Sequence, residues 1–554
     1  MSDPAAEPAR SDSRRDYWER FSDETPKGWS TDLVDGTLRI TLPTALELRW
    51  DAAAPHMSWS GPLGTDGGTS RLWHNSLIYL KQLITLPNGP ETGVRVLRSL
   101  TDFLESPDGD LAVIRNGSLD HQIALQLRTL CEVRAWTLHQ TDPLSAPIRA
   151  LDDAAIRLVP RLYDYIDRGS LIGRSNHGVM LALAVLHSLV MFPECPSPHT
   201  PTAMLHSLER LIGAIVGDVG VVDENTPLYQ GLYLSLLNQI IAFMSWAKLS
   251  STSADQFLRY REAVEIAYRR MLMPDGSVPP LGDSTRSGNS KLSPLSGILF
   301  AQQEGLCIAS GPQFYFALIC GARGIIHKQL DDTALFLAVA DRVLVADAGL
   351  ASYDRRDARA QGIRSQWGHS GIFFERFDDL DADKVISYSG GSRSISTKLT
   401  MSEVIPQRPD LMAQASLRGL VVTRRIRWND SASFSLSDTA TGPVDEPAAS
   451  RFVLHPEATV VHTEQHVLVR NGPAWLVLCG PSVRSLAQVR GDGHGRAGNF
   501  AVRPFQIVPT TVLVLRHDRS KMTSTVHIRA SFGDATQPPW CSCCRVPVEG
   551  DRSP

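Results

Sequence analysis

The residues best suited to chemistry stand in two short segments, Ser-Asn-His-Gly at Ser175 to Gly178 and Asp-Glu-Asn-Thr-Pro-Leu-Tyr at Asp223 to Tyr229. Each lies where an apolar run begins. Ser175 is a good N-cap, which puts Asn176 and His177 in a first helical turn, where unpaired backbone N–H groups and the positive end of the dipole point outward. An amide donor and an imidazole in that place can hold a carboxylate and move a proton near neutral pH. In the second segment Asn225 or Thr226 caps, Pro227 takes the first helical position and Tyr229 falls in the first turn. A phenol with a pKa near about 10 is a poor base at neutral pH, so Tyr229 needs a positive local field to act as one. Read singly, Asn176-His177 is better explained by capping and helix surface, and Tyr229 by an amphipathic aromatic at a helix end, like Tyr233. Read as a pair, the two helix starts would converge on one anionic substrate.

A third group lies in GIIHKQLDDTALFLAVADRVLVADAG and RSQWGHSG, where His327, Gln329, Asp331, Asp332, Asp347 and His369 combine imidazole, carboxylate and amide groups. A buried His or Asp often does no more than satisfy hydrogen bonds. The density of such groups here argues for a site. Arg174, Lys328 and Arg364 stand beside these motifs and can contact sulfate or carboxylate groups, Arg364 being the preferred substrate contact; solvated salt bridges are the alternative for each. Glu224 with Asp223 or Asp283 offers the paired carboxylates a glycoside hydrolase uses, or only favourable charges at a helix start.

The elements that must position these groups change character along the chain. From Ser70 to about Leu272 apolar residues recur every three or four positions, as in SLIYLKQLITL, HQIALQLRTLCEVRAWTL, VMLALAVLHSLVMF and YLSLLNQIIAFMSWAKL, which predicts helices. Short polar or Pro/Gly breaks favour antiparallel helix pairs in a bundle or a toroid. After Met273-Pro-Asp-Gly276 and the loop-forming GDSTRSGNSKLSPLSG the period becomes two. TALFLAVADRVLVADAG, RGLVVTRRIRW, ASFSLSD, EQHVLVR, AWLVLCG, TTVLVLRH and STVHIRASF predict an antiparallel sandwich. The expected organisation is an α+β multidomain chain: a tail at 1–16, a helical domain over 17–285, a β-sandwich over 286–535 and a second tail at 536–554.

Composition narrows the function classes. The chain of 554 residues has Lys+Arg 55 against Asp+Glu 59, a net charge of -4, and so no bulk attraction to nucleic acid or an anionic membrane. An anionic ligand must be held by a local site. The opening MSDPAAEPARSDSRRDYWERF has no apolar run after its basic residues and reads as neither a secretory signal nor a membrane anchor. Cys131, Cys195, Cys307, Cys320 and Cys479 are scattered among apolar neighbours, as reduced thiols of a cytoplasmic protein would be. Cys541, Cys543 and Cys544 have a spacing that can grip a soft metal, but no second ligand pair lies near them, so they read as incidental thiols of a tail.

At these residues the chain resembles the heparinase II/III-like polysaccharide lyases. SLDHQIALQL, SNHG, ENTPLY, MPDGSVPPLGDS, HKQLDDTALFLAVADRVLVADAG and RSQWGHSG occur in the order expected for that group, and the likeness spans most of the chain. It implies an incomplete α/α toroid followed by an antiparallel β-sandwich. It also implies a lyase that cleaves uronic-acid glycans by β-elimination. Asn176 would help neutralise the uronate carboxylate, His177 and Tyr229 would abstract and return protons, and His327 would complete the cleft, with Arg174, Glu224 and Arg364 toward the substrate. The partner implied is an acidic oligosaccharide or polysaccharide, and a homodimer is compatible with the resemblance.

In the same group the second His of a His-x-His-x-Asp motif, an Asp ahead of a Gly, and a His of a His-Asn-Thr motif can hold a structural zinc. The matching positions are Gln329, Asp347 and His369. Gln329 puts a weak neutral ligand in place of an imidazole and His369 is followed by Ser-Gly, so the reading leans against zinc and requires no cofactor. A glycoside hydrolase on a helical toroid, and a carbohydrate-binding or assembly protein descended from a lyase, are the alternatives.

Overall fold

The computed structural model describes residues 14, 16–22, 28–54, 56–59, 67–109, 118–249, 252–287, 290–352, 357–380, 395–405, 408–430, 433–443, 446–504, 506–517 and 523–532. Cys541, Cys543 and Cys544 lie outside them. The chain divides into two compact units, one holding residues up to Ile215 together with Ser235–Arg261, the other Val216–Leu234 together with residues from Glu262 onward.

The helices of the first unit are α1 (Tyr17–Phe21), α2 (Gly67–Asn75), α3 (Leu80–Leu83), α4 (Gly89–Leu104), α5 (Leu119–His139), α6 (Ala146–Gly169), α7 (Asn176–Met191) and α8 (Pro201–Ile215). Two more, α9 (Pro227–Trp246) and α10 (Thr252–Met271), contribute residues to both units. Neighbours pack in pairs, α4 and α5 on α6, and α7 between α5 and α8. The packing follows from the side chains. In α7 nearly every position from Gly178 to Met191 is buried, the pattern of a helix apolar on all sides, whereas α6 buries one stripe that includes Leu151, Ala155, Leu158, Leu162 and Ile166.

Two local outcomes differ from the sequence reading. The stretch SLIYLKQLITL was expected to be a helix, yet only Leu80–Leu83 is helical, because Leu77 takes a positive φ of 65° that interrupts the run. Residues 30–51, read as part of a helical domain, form an antiparallel meander β1 (Ser30–Val34), β2 (Thr37–Thr41) and β3 (Glu47–Asp51). The hairpin between β1 and β2 turns on Asp35 and Gly36, with φ of 48° and 75°, the paired positive values that Asp-Gly suits. Among the described residues, no helix is long and apolar enough to cross a membrane.

The strands of the second unit, in chain order, are β4 (Gly297–Ala301), β5 (Leu306–Gly311), β6 (Phe314–Ile319), β7 (Ala334–Val339), β8 (Arg342–Ala346), β9 (Ile372–Phe374), β10 (Ile395–Ile405), β11 (Arg408–Leu417), β12 (Leu420–Trp428), β13 (Ser433–Thr441), β14 (Ala448–Leu454), β15 (Thr459–His462), β16 (His466–Asn471), β17 (Ala474–Cys479), β18 (Ala487–Arg490), β19 (Asn499–Arg503), β20 (Gln506–Pro509), β21 (Thr511–Arg516) and β22 (Thr523–Phe532). One helix, α11 (Ala358–Arg364), interrupts them. An 8-stranded sheet runs β10-β11-β12-β13-β22-β17-β16-β15, and a 9-stranded sheet runs β18-β21-β14-β8-β7-β6-β5-β4 with β9 beside β14. All pairs are antiparallel.

Period-two alternation makes the sandwich. In β12 the inward residues Leu420, Val422, Arg424, Ile426 and Trp428 are buried while Arg425 and Arg427 face out. Ile426, Trp428, Phe434 and Leu436 of one sheet share a core with Phe316, Leu318, Leu335 and Leu337 of the other. The charge at Arg424 is fully compensated: its guanidinium forks onto the cross-strand neighbour Asp438 at 2.8 and 2.7 Å and donates to the carbonyls of Thr333 and Ser370.

Candidate active site

In the first unit the Ser-Asn-His-Gly motif folds as its residue types require. The Ser175 hydroxyl accepts the backbone N–H of Gly178, which caps α7 and leaves Asn176 and His177 as its first helical residues. Gly178 admits no side chain, since a Cβ there would sit 1.8 Å from the carbonyl oxygen of Gly173. Arg174 is exposed, Asn176 buried and His177 half-buried. The His177 ring has company that no motif announced. Asp120 Oδ1 lies 3.3 Å from its Nδ1, and the His121 ring packs on it at 4.6 Å between centroids. Burial, followed by the nearby His177, pushes His121 down to about 4, so this second imidazole stays neutral.

In the second unit Tyr229 and His327 come together. Their rings stack at 3.9 Å with 24° between planes. His327 sits at a positive φ of 57°, an uncommon conformation for a residue without the freedom of glycine and one that clusters at functional sites. The loop is held there by Asn225, whose amide donates to the carbonyls of Gly324 and Ile326. Asn225 is therefore a brace, not a helix cap. The expected cap is also shared: the backbone N–H of Leu228 donates to the Ser284 hydroxyl, which is itself bonded to the Thr226 hydroxyl.

The His327 imidazole is flanked by two carboxylates, Asp283 Oδ2 at 3.0 Å from Nδ1 and Glu224 Oε2 at 3.5 Å from Nε2. Both acids are buried. The second oxygen of Asp283 takes the amide N–H of Gln329 at 2.6 Å, and the second oxygen of Glu224 takes the Tyr233 hydroxyl at 2.8 Å. Burial and the adjacent Glu224 push the Tyr233 phenol far up, so it is a fixed donor and not a base. Asp223 is buried as well. Lys328, read as a candidate sulfate contact, is buried and paired with Asp331 and with Asp332 at 3.1 Å. Burial opposes its charge, but the two carboxylates outweigh that and raise it. Arg364 ends α11, half-buried, where its carbonyl accepts the backbone N–H of Leu330.

Of the residues that sequence reasoning singled out, Tyr229, His327 and Glu224 lie together here; it assigned Asp283 only to an alternative, as a paired acid, and did not foresee Asn225 and Ser284 as braces. The signal was present in the turn residues Gly-Asp-Ser, since Gly282 takes a positive φ of 56° that aims Asp283 and Ser284 inward.

Residues 288–529 match the family described as heparinase II/III-like, C-terminal. The chain carries a heparinase II/III-like domain. Among solved structures, a mutant of heparan sulfate lyase HepC from Pedobacter heparinus matches with a TM-score of 0.62 and 14% identity, over 88% of this chain and 80% of that one. A heparinase III matches with a TM-score of 0.63 and 11% identity, over 96% and 86%. A chondroitinase AC lyase matches at 0.53 and 9%, over 96% and 82%. Among proteins with curated descriptions none matches significantly. At such identities the likeness carries the fold: helices of an incomplete α/α toroid, then antiparallel β-sheets, as the motif order implied.

Within the heparinase II/III-like domain the zinc positions can be tested against the donors present. Asp347 Oδ2 is held by His369 Nδ1 at 2.8 Å, and Gln329 turns its amide nitrogen to Asp283. Burial works against charge on His369, but Asp347 outweighs it and raises the pKa. One carboxylate and one imidazole already bonded to each other, with a neutral amide turned elsewhere, fall short of the strong donors a structural zinc takes. Among the described residues no group of three His, Cys, Asp or Glu side chains is placed to hold a metal ion. The residues do not fit the zinc. Chelator or added zinc is therefore expected to leave the melting temperature unchanged, whereas a structural site filled at 100 Kd would add about 2.7 kcal/mol, or several degrees in a thermal melt.

Proposed function

We propose that the chain is a polysaccharide lyase that cleaves uronic-acid-containing glycans by β-elimination. The observation that carries this reading is the Tyr229–His327 stack, fixed by Asp283 and Glu224, in which His327 belongs to the heparinase II/III-like match at 288–529 and its three partners precede it in the chain. Elimination removes the proton α to the uronate carboxylate, forms the C4=C5 double bond and expels the C4 oxygen, which must gain a proton. The first step becomes tolerable only when the carboxylate is neutralised as charge flows into it. Asn176 and His327 are assigned to that neutralisation. Tyr229 is assigned to proton abstraction and to protonation of the leaving oxygen, with His177 as the proton-transfer group for the opposite sugar face. Arg174 and Arg364 are assigned to substrate anions.

The solved relatives support a substrate of this class, since those named above are lyases of heparan sulfate and chondroitin type. A glycoside hydrolase reading has less support. It would need Glu224 and Asp283 to face a sugar, yet each is buried and its oxygens are spent on Tyr233, Gln329 and His327. Incubation with heparan sulfate, chondroitin, alginate and oligouronates tests the proposal through the ultraviolet absorbance of an unsaturated product. Saturated products from every glycan would sink it.

A further inference from the structure

We propose that Asp120 is a positioning residue, which holds His177 as the Nδ1–H tautomer and so reserves Nε2 for proton transfer. The inference rests on reading His177 as a proton-transfer group of the lyase. Asp120 is the second residue of α5 and its Oδ1 accepts the backbone N–H of His121 at 2.8 Å. That oxygen is therefore aimed by its own helix start, where the dipole favours negative charge. It lies 3.3 Å from His177 Nδ1.

Burial opposes the Asp120 charge, but the hydrogen bond and charge of His177 and the His121 N–H outweigh it and hold the carboxyl below its ordinary range. An ionised carboxylate can only accept, so the ring nitrogen facing it must carry the hydrogen. The opposite nitrogen, Nε2, then keeps its lone pair.

The ring is held by its face as well as its edge. His121 packs on it with 31° between planes, and being neutral adds no like charge. The start of α7 is pinned by the close approach of Gly178 to Gly173. A side chain that only stabilised the fold would not need this arrangement around a ring whose side chain remains 31% exposed, enough to meet a ligand. Asp120 and His121 belong to the SLDHQ segment, so the segment acts through the next motif in the chain and not by contact with substrate.

The test uses the full chain labelled with 15N-histidine, and reads the His177 tautomer from two-bond proton–nitrogen correlations in the wild type, Asp120→Ala and Asp120→Asn. The wild type should show Nδ1–H. Asp120→Ala should shift the ring toward Nε2–H and lower kcat on the uronate glycan on the order of 10²-fold, with KM changed less than about twofold. Asp120→Asn, which keeps the size of the side chain, serves if the alanine variant does not fold. Persistence of Nδ1–H in both variants, or a switched tautomer with unchanged kcat, would overturn the assignment. A wild-type chain inactive on every uronate glycan would instead sink the proposed function, while the tautomer would still decide what Asp120 holds.

Discussion

Tyr229→Phe is expected to lower kcat on a uronate glycan by about 10²- to 10⁴-fold while leaving the fold and KM nearly unchanged. The substitution removes one oxygen and nothing else. Phenylalanine keeps the ring that stacks on His327 at 3.9 Å, and the half-buried position leaves little packing to lose. Tyr233→Phe is the control that gives this result meaning. Its hydroxyl donates to the buried Glu224, so that variant should lose stability, about 1–3 kcal/mol for an acceptor left short of a partner. Steady-state rates and thermal melts on the two variants separate a reacting phenol from a structural one. Equal rates for wild type and Tyr229→Phe would end the assignment of Tyr229 to proton transfer, whatever the glycan.

The Tyr229 case also shows what could be read in advance. Ser175, Gly178 and Pro227 are residues whose local chemistry dictates a helix start, so the frames holding Asn176, His177 and Tyr229 were legible from sequence. Strands β12 and β16 were legible because period two is set by which face is buried, whereas β7, β8 and β17, buried on both faces, were legible as short apolar runs bounded by turns. The braces were not legible. Asn225 looks like a cap in sequence but donates to Gly324 and Ile326, a hundred positions along, and Ser284 supplies a hydrogen bond acceptor that Thr226 was expected to provide. Such partners are chosen by tertiary approach, which leaves no periodic trace. The Asp35-Gly36 hairpin was a different failure, because its signal was local and was overridden by the helical pattern that follows it. Gln329 was the most informative departure. Its exchange for an imidazole in the motif raised the question of zinc, and its amide bond to Asp283 explains what a neutral side chain does there.

Acidification should destabilise the first unit through buried histidines that are not themselves assigned to proton transfer. His74 and His121 are pushed from the ordinary imidazole value of 6.5 to about 4, chiefly by burial, and His187 falls well below that value for the same reason, with Arg128 adding to it. The surroundings of His187 suit only a neutral ring. Tyr17 and Arg128 approach its nitrogens at 2.6 and 3.1 Å, and Phe243 stacks on it at 3.6 Å. Between pH 6.5 and about 4 the unfolded chain binds protons that these folded rings refuse, so stability present above 6.5 is lost as the pH falls through that window. Each group contributes at most about 1.4 kcal/mol per pH unit, and three together approach about 4 kcal/mol per unit in the middle of the window. In the second unit His455 and His517 act in the same direction, while Asp347 raises His369 and partly offsets them. Urea unfolding followed by far-ultraviolet circular dichroism, which weights the helices, should show a midpoint that drops steeply between pH 7 and pH 5. His74→Gln should flatten that slope, because glutamine keeps a polar group near Asn75 without a proton to gain. A urea midpoint constant across the window would mean that the folded chain takes up as many protons there as the unfolded one, so that the buried rings are charged in the folded state, His187 beside Arg128 and against the Phe243 ring.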